Sequence, residues 1–308
     1  VKNFLLKEQS RRTRGTICSW YAGFLQSRAL LPDLQSMFLI SVLCKQKRSC
    51  INKWKMCNRK GLYRMKAKCA VITGASRGIG AAVAERFAAG GWNLALSCRR
   101  SAERMEELAA RLRREYGVQC LTYAGDMGDE ACVREFFRQA EGAFGGADVL
   151  VNNAGISRVG LLQDMPLSEW EELMRTNVTS VFLCTRAALP FMIRQKSGSV
   201  INISSVWGCV GASCEAAYSA SKGAINAFTQ AMAKELAPSG VAVNAVACGA
   251  IDTEMNACFT TEEREAIAEE IPAGRFGLPA EAAELVWALA AQSPYLTGQI
   301  IRLDGGWI

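Results

Sequence analysis

The chain has 308 residues, half of them apolar and 21% charged, which suits one large α/β domain or two small ones. Its 13 cysteines include no CxxC pair and it has no histidine. That excludes Ser-His constellations and the usual zinc sites, and favours a reduced, cytoplasmic compartment over a disulfide scaffold.

The net charge of +7 is unevenly spread. Residues 1–64 carry 14 Lys/Arg against Glu8 and Asp33, a net +12, whereas the rest holds 22 Lys/Arg against 27 acids, a net −5. A mildly acidic body argues against nucleic acid as a partner. No unbroken apolar run approaches the ~18–20 residues of a membrane helix; the longest early one is Met37–Cys44. No membrane association is expected.

Residues 1–64 have no sustained period of 3.6 or 2 and no apolar core leading to a signal cleavage site. Met65 stands just before Lys66-Ala67-Lys68 and the first strand and is the expected natural start. The expected organisation is therefore a disordered or non-native basic extension, 1–64, followed by one domain, 65–308.

From there strands alternate with helices: a strand at Cys69–Thr73, a helix over Ile79–Ala89 and a strand at Leu94–Ser97. A charged helix over Ala102–Tyr116 leads to a strand at Cys120–Ala124. A further helix precedes the strand at Asp148–Asn152. Strands at Ser199–Ser204 and Val241–Ala247 flank the long helix that carries Tyr218. Such alternation predicts a doubly wound parallel sheet, the Rossmann architecture.

Between the first strand and first helix lies Thr73-Gly74-Ala75-Ser76-Arg77-Gly78-Ile79-Gly80. Gly74 permits a tight turn, Gly78 close approach of backbone to a pyrophosphate, and Gly80 close helix–strand packing. The helix N-terminus offers N–H groups and a positive dipole end to phosphate. The second strand ends Leu96-Ser97-Cys98-Arg99-Arg100, without the carboxylate that receives the ribose hydroxyls of NAD. Arg99 and Arg77 instead suit a 2′-phosphate, which predicts NADPH. Asp126, followed by Met127 after the third strand, is positioned to accept from the adenine amino group.

Tyr218 and Lys222 lie four residues apart and project from one helical face. A neighbouring ammonium lowers a phenol's pKa and makes tyrosine a usable general acid. Together with the glycine loop, Asn152-Asn153-Ala154-Gly155, Asn177 and Ser205, the pair resembles the short-chain dehydrogenase/reductases over essentially all of 65–308.

The resemblance implies that Tyr218 protonates a ketone, Ser205 orients it, Lys222 tunes Tyr218 and holds the nicotinamide ribose, and Asn177 supports a proton-relaying water. It also implies cofactor contacts from Asn153, Ala154 and Gly155 and from Gly249, Ile251 and Thr253. Cys248 stands where the family has proline, which predicts a looser loop there. Family members form homodimers or homotetramers, so an oligomer is expected.

For the ketone, two sub-families compete. The stretch Tyr295 to Gly306 resembles 3-oxoacyl-carrier-protein reductases. Ser204 to Glu215, with Trp207 inside it, resembles the reductases that complete a 5-aminopentanone modification on a lysine of elongation factor P. An acyl carrier protein is acidic and needs basic docking groups, for which Arg194 and Lys196 are available; the family's second docking arginine aligns with Ser239. A substrate with a free amine would meet Glu215, three residues before Tyr218, unless that acid merely complements the helix dipole. A non-catalytic NADPH-binding subunit is the alternative from another class.

Overall fold

The computed structural model describes residues 67–308 except Cys258. The extension assigned to residues 1–64 lies outside the described residues.

Seven parallel strands form one sheet in the order β3-β2-β1-β4-β5-β6-β7. They are β1 Cys69–Thr73, β2 Asn93–Cys98, β3 Cys120–Ala124, β4 Val149–Asn152, β5 Gly198–Ser205, β6 Val241–Cys248 and β7 Ile300–Leu303. The helices are α1 Gly78–Ala89, α2 Ala102–Tyr116, α3 Glu130–Phe144, α4 Leu167–Met174, α5 Ser180–Gln195, α6 Trp207–Val210, α7 Ala216–Leu236, α8 Thr261–Glu270 and α9 Pro279–Ala291.

Why these runs become parallel strands is visible in their burial: β1, β4 and β6 are buried at every position. Both faces of such a sheet must be covered, which requires continuous apolar runs rather than alternation. Successive residues serve opposite faces. Ala70, Ile72, Val149, Val151 and Ile201 pack with α1, α2 and α9, whereas Cys69, Val71, Leu150 and Val200 pack with α3, α5 and α7. The chain leaves β3 at one edge and re-enters at β4, beside β1. The crevice at the C-terminal ends of β1 and β4 is thus the topological switch point where such sheets take ligands.

α4 and α5 form one continuous helix, Leu167–Gln195, interrupted by a π-helical turn at Arg175–Thr179. By length and composition it is the one helix among the described residues able to cross a membrane. Half of its apolar stretch is buried in the domain, however, where α5 packs on α3 and β4. β6 runs through Cys248, which pairs with Ser205 and Leu303, and Val206 N–H donates to the Cys248 carbonyl (3.0 Å). Ladder pairing on both sides thus holds Cys248, the position where the family has proline.

Candidate active site

The glycine turn leaves β1 with Gly74 at φ 66° and enters α1 with Gly78 at φ 56°, a left-handed backbone that disfavours other residues. Gly80 is required by space: a Cβ there would lie 2.3 Å from the Gly74 carbonyl oxygen and 2.5 Å from Asn153 Nδ2. Thr73 and Asn153 weld the turn to the end of β4. Thr73 Oγ1 accepts from the backbone N–H groups of Asn153 and Ala154 (both 3.0 Å), and Asn153 Nδ2 donates to the carbonyls of Thr73 and Gly74 (3.0 Å each). Their side chains therefore build the floor of the crevice. Met127 and Ile251 also face inward, 4% exposed each. Thr253 reaches across the crevice, its methyl 3.3 Å from where Gly78 would carry a Cβ.

These residues fit a dinucleotide. The N-terminus of α1 has no side-chain cap and no acid in its first turn, unlike α3, which Asp129 caps. Its N–H groups are free for an anion. Gly155 leaves open a space that a Cβ would fill, 3.3 Å from Asn177 Oδ1 and 3.6 Å from Lys222 Nζ.

The charged residues assigned to the adenosine end are paired with acids. Arg77 meets Glu254 (2.9 Å), and Arg99 meets Glu172 (3.0 Å) and Asp126 (3.4 Å). Asp126 also binds Arg175 (2.5 Å) and accepts from the backbone N–H of Gly128 (2.9 Å). Arg104 meets Glu254 as well, a pairing the sequence reading missed because nothing in spacing links residue 104 to residue 254.

The four assigned catalytic residues converge. Ser205 ends β5, and its hydroxyl hydrogen-bonds the Tyr218 phenol. Asn177, in the π-helical turn, accepts from Ile156 N–H (2.8 Å) and donates to the Ile156 carbonyl (2.9 Å) and Ser221 Oγ (3.0 Å). Ser221 in turn donates to the Tyr218 carbonyl (2.7 Å), so Asn177 is tied to the turn of α7 that carries both Tyr218 and Lys222. Gly208 lets α6 nest against α7, since a Cβ there would sit 2.6 Å from the Lys222 backbone.

Lys222 is 4% exposed and donates to the Ile203 carbonyl (2.9 Å), with Nζ 5.5 Å from the centre of the Tyr218 ring. Burial pushes Lys222 down to about 8, partly opposed by the field of Cys248. Burial likewise pushes the Tyr218 phenol up; the Ser205 hydrogen bond opposes this, and Cys248 and Glu215 reinforce it. The expected lowering of Tyr218 by Lys222 is thus not met. Burial dominates, and the phenol is held protonated.

Glu215 occupies the N-cap of α7 without capping it by its side chain. Its carboxylate accepts instead from Ser157 Oγ (2.8 Å), within electrostatic range of Tyr218. Trp207 stacks edge-on against Trp307 at 5.0 Å, and its N–H donates to Ser205 Oγ (3.2 Å). Arg194 and Lys196 end up elsewhere. They precede β5, at the opposite end of that strand from Ser205, roughly 23 Å away along a strand of this length. Ser239, just before β6, lies at the same N-terminal end of the strands.

A family profile described as short chain dehydrogenase matches residues 68–264. The chain is 42% identical over 241 residues to the uncharacterized oxidoreductase YmfI of Bacillus subtilis, covering 78% of this chain and 98% of that protein. It is 39% identical over 244 residues to the 3-oxoacyl-acyl-carrier-protein reductase FabG of Aquifex aeolicus, covering 79% and 98%. It is 40% identical over 240 residues to the enzyme of the same name from Staphylococcus aureus, covering 78% and 97%. With the Rossmann sheet and the convergent site, these likenesses lead to one conclusion: the chain belongs to the short-chain dehydrogenase/reductase family, oxidoreductases that act on CH–OH/C=O groups with a nicotinamide cofactor.

Proposed function

We propose that this protein is an NADPH-dependent ketone reductase whose substrate carries an amine, namely the 5-aminopentanone group on a lysine of elongation factor P, and that it yields the 5-aminopentanol. The observation that carries this reading is Glu215. Its carboxylate is steadied by Ser157, is not used to cap α7, and faces the region of Tyr218. An ammonium on the substrate would find there a charge-assisted partner as the carbonyl reaches the phenol. Arg77 and Arg99, with no acid after Ser97, support NADPH.

In this reading Tyr218, kept protonated by burial, donates its proton to the carbonyl oxygen, and Ser205 donates a hydrogen bond to the same oxygen. Lys222 holds the ribose hydroxyls and stabilises the phenolate left behind, and Asn177 keeps the relay beside Lys222 in register. The nicotinamide ring supplies the hydride when the cofactor is bound.

A second reading, a carrier-protein reductase, has the names of the Aquifex and Staphylococcus relatives in its favour. Within one chain, however, Arg194 and Lys196 lie across the sheet from the site, so basic docking would need a second subunit; a homodimer or homotetramer in the cytoplasm is part of either reading.

The test is NADPH oxidation measured side by side with 5-aminopentanone-modified elongation factor P and an acetoacetyl carrier protein. Turnover of the first alone supports the proposal, provided that Tyr218→Phe abolishes it. Preference for the carrier protein overturns the substrate, and no turnover of either favours a non-catalytic subunit. Glu215→Gln should lower kcat/KM for the amine-bearing substrate by about tenfold or more, as hydrogen bonds to charged groups predict, and spare a neutral ketone.

A further inference from the structure

Glu254 stands out because two arginines from different elements close on it. Arg77 precedes α1 and Arg104 lies in the first turn of α2. Both guanidiniums bind the one carboxylate, which comes from the short turn after Thr253. Together they hold that carboxyl below the usual range, Arg104 contributing most. Ser76, Arg77, Gly78 and Arg104 line one groove beside the N-terminus of α1. Thr253 already lies over Gly78, so the Glu254 turn covers the mouth of the cofactor crevice.

From this arrangement we infer that Glu254 competes with the cofactor's 2′-phosphate for the same guanidiniums, and that Arg104 is a specificity residue for that phosphate. The inference rests on the NADPH reading above. A planar carboxylate and a phosphate monoester accept the same fork of guanidinium N–H groups, so one substitutes for the other. NADPH entry must separate Glu254 from both arginines and lift the 253–257 turn from the glycine loop. NADH, with no phosphate, does not need that seat and leaves the pair in place. The exchange of Glu254 for phosphate is therefore made by NADPH, and Arg104 contributes to that cofactor alone.

The experiment is direct cofactor binding by calorimetry, without any ketone, on wild type, Glu254→Gln, Arg104→Ala and the double variant. Exposed ion pairs of this kind are worth about 1.5- to fivefold in an equilibrium constant. Glu254→Gln should tighten NADPH by about that factor and change NADH less. Arg104→Ala should weaken NADPH and leave NADH unchanged. In the Arg104→Ala background, Glu254→Gln should have a smaller effect, because half of the competing pair is gone. Weaker NADPH binding in Glu254→Gln, or equal shifts for both cofactors, would overturn the inference. If wild type binds NADH as tightly as NADPH, the cofactor reading fails instead, and the two failures are told apart by the wild-type measurement.

Discussion

Replacing Lys222 with methionine should stabilise the fold while removing activity. The ammonium is buried, and burial lowers its pKa from 10.5 to about 8. At ~1.4 kcal/mol per pH unit, the charge costs the folded state about 3 kcal/mol near neutrality. Methionine keeps most of the length and packing but forfeits the 2.9 Å bond to the Ile203 carbonyl, a loss of about 1–2 kcal/mol. The net gain is about 1–2 kcal/mol, or about 2–6 °C in Tm for a domain of this size.

The pH window follows from the sign of the shift. Below about pH 8 lysine is protonated in both states and the penalty is complete. Between pH 8 and 10.5 the folded lysine is neutral while the unfolded one still binds its proton, so wild-type stability rises with pH. The advantage of Lys222→Met should therefore shrink across that window. Thermal unfolding of both proteins from pH 6 to 10 is the assay. A Tm difference that is negative at pH 6.5, or that is independent of pH, would refute the reasoning.

Two further substitutions probe how the site is supported. Gly80→Ala should destabilise by at least about 2–3 kcal/mol in urea unfolding, because its Cβ would meet the Gly74 carbonyl at 2.3 Å and overpacking against backbone is not relieved by a rotamer change. A change under about 0.5 kcal/mol would show that the turn can shift. Asn202→Ala should cost about 2–3 kcal/mol and lower Tm by about 5–10 °C. Asn202 is fully buried, accepts from Asn152 (2.8 Å) and donates to Thr229 (2.9 Å), so its loss strands polar groups on β4 and α7 beneath the site. An unchanged Tm would mean that those groups find other partners.

The sequence by itself determined the sheet and its crevice. Local runs such as Cys69–Thr73 and Val241–Ala247 are apolar except for Thr73 and Asn244, a pattern that suits a strand covered on both faces, and glycine at 74, 78 and 80 specifies the turn through backbone geometry and close packing. The assignment of Asn177, Ser205, Tyr218 and Lys222 to one site came from resemblance, because no spacing connects residue 177 to residue 222. Their junction through Ser221 and Ile156 exists only once the π-helical turn meets α7. β7, α8 and α9 carried weaker signals: the strand has only four residues and is partly exposed.

The tertiary structure alone decided the electrostatics. How far burial would raise Tyr218 and lower Lys222 depends on what surrounds them, not on their being four residues apart. Glu215 likewise became more than a first-turn acid when Ser157, from a loop 58 residues earlier, claimed its carboxylate. The union of Arg77 and Arg104 on Glu254 spans 177 and 150 residues, and only folding brings such distant charges within reach of one another.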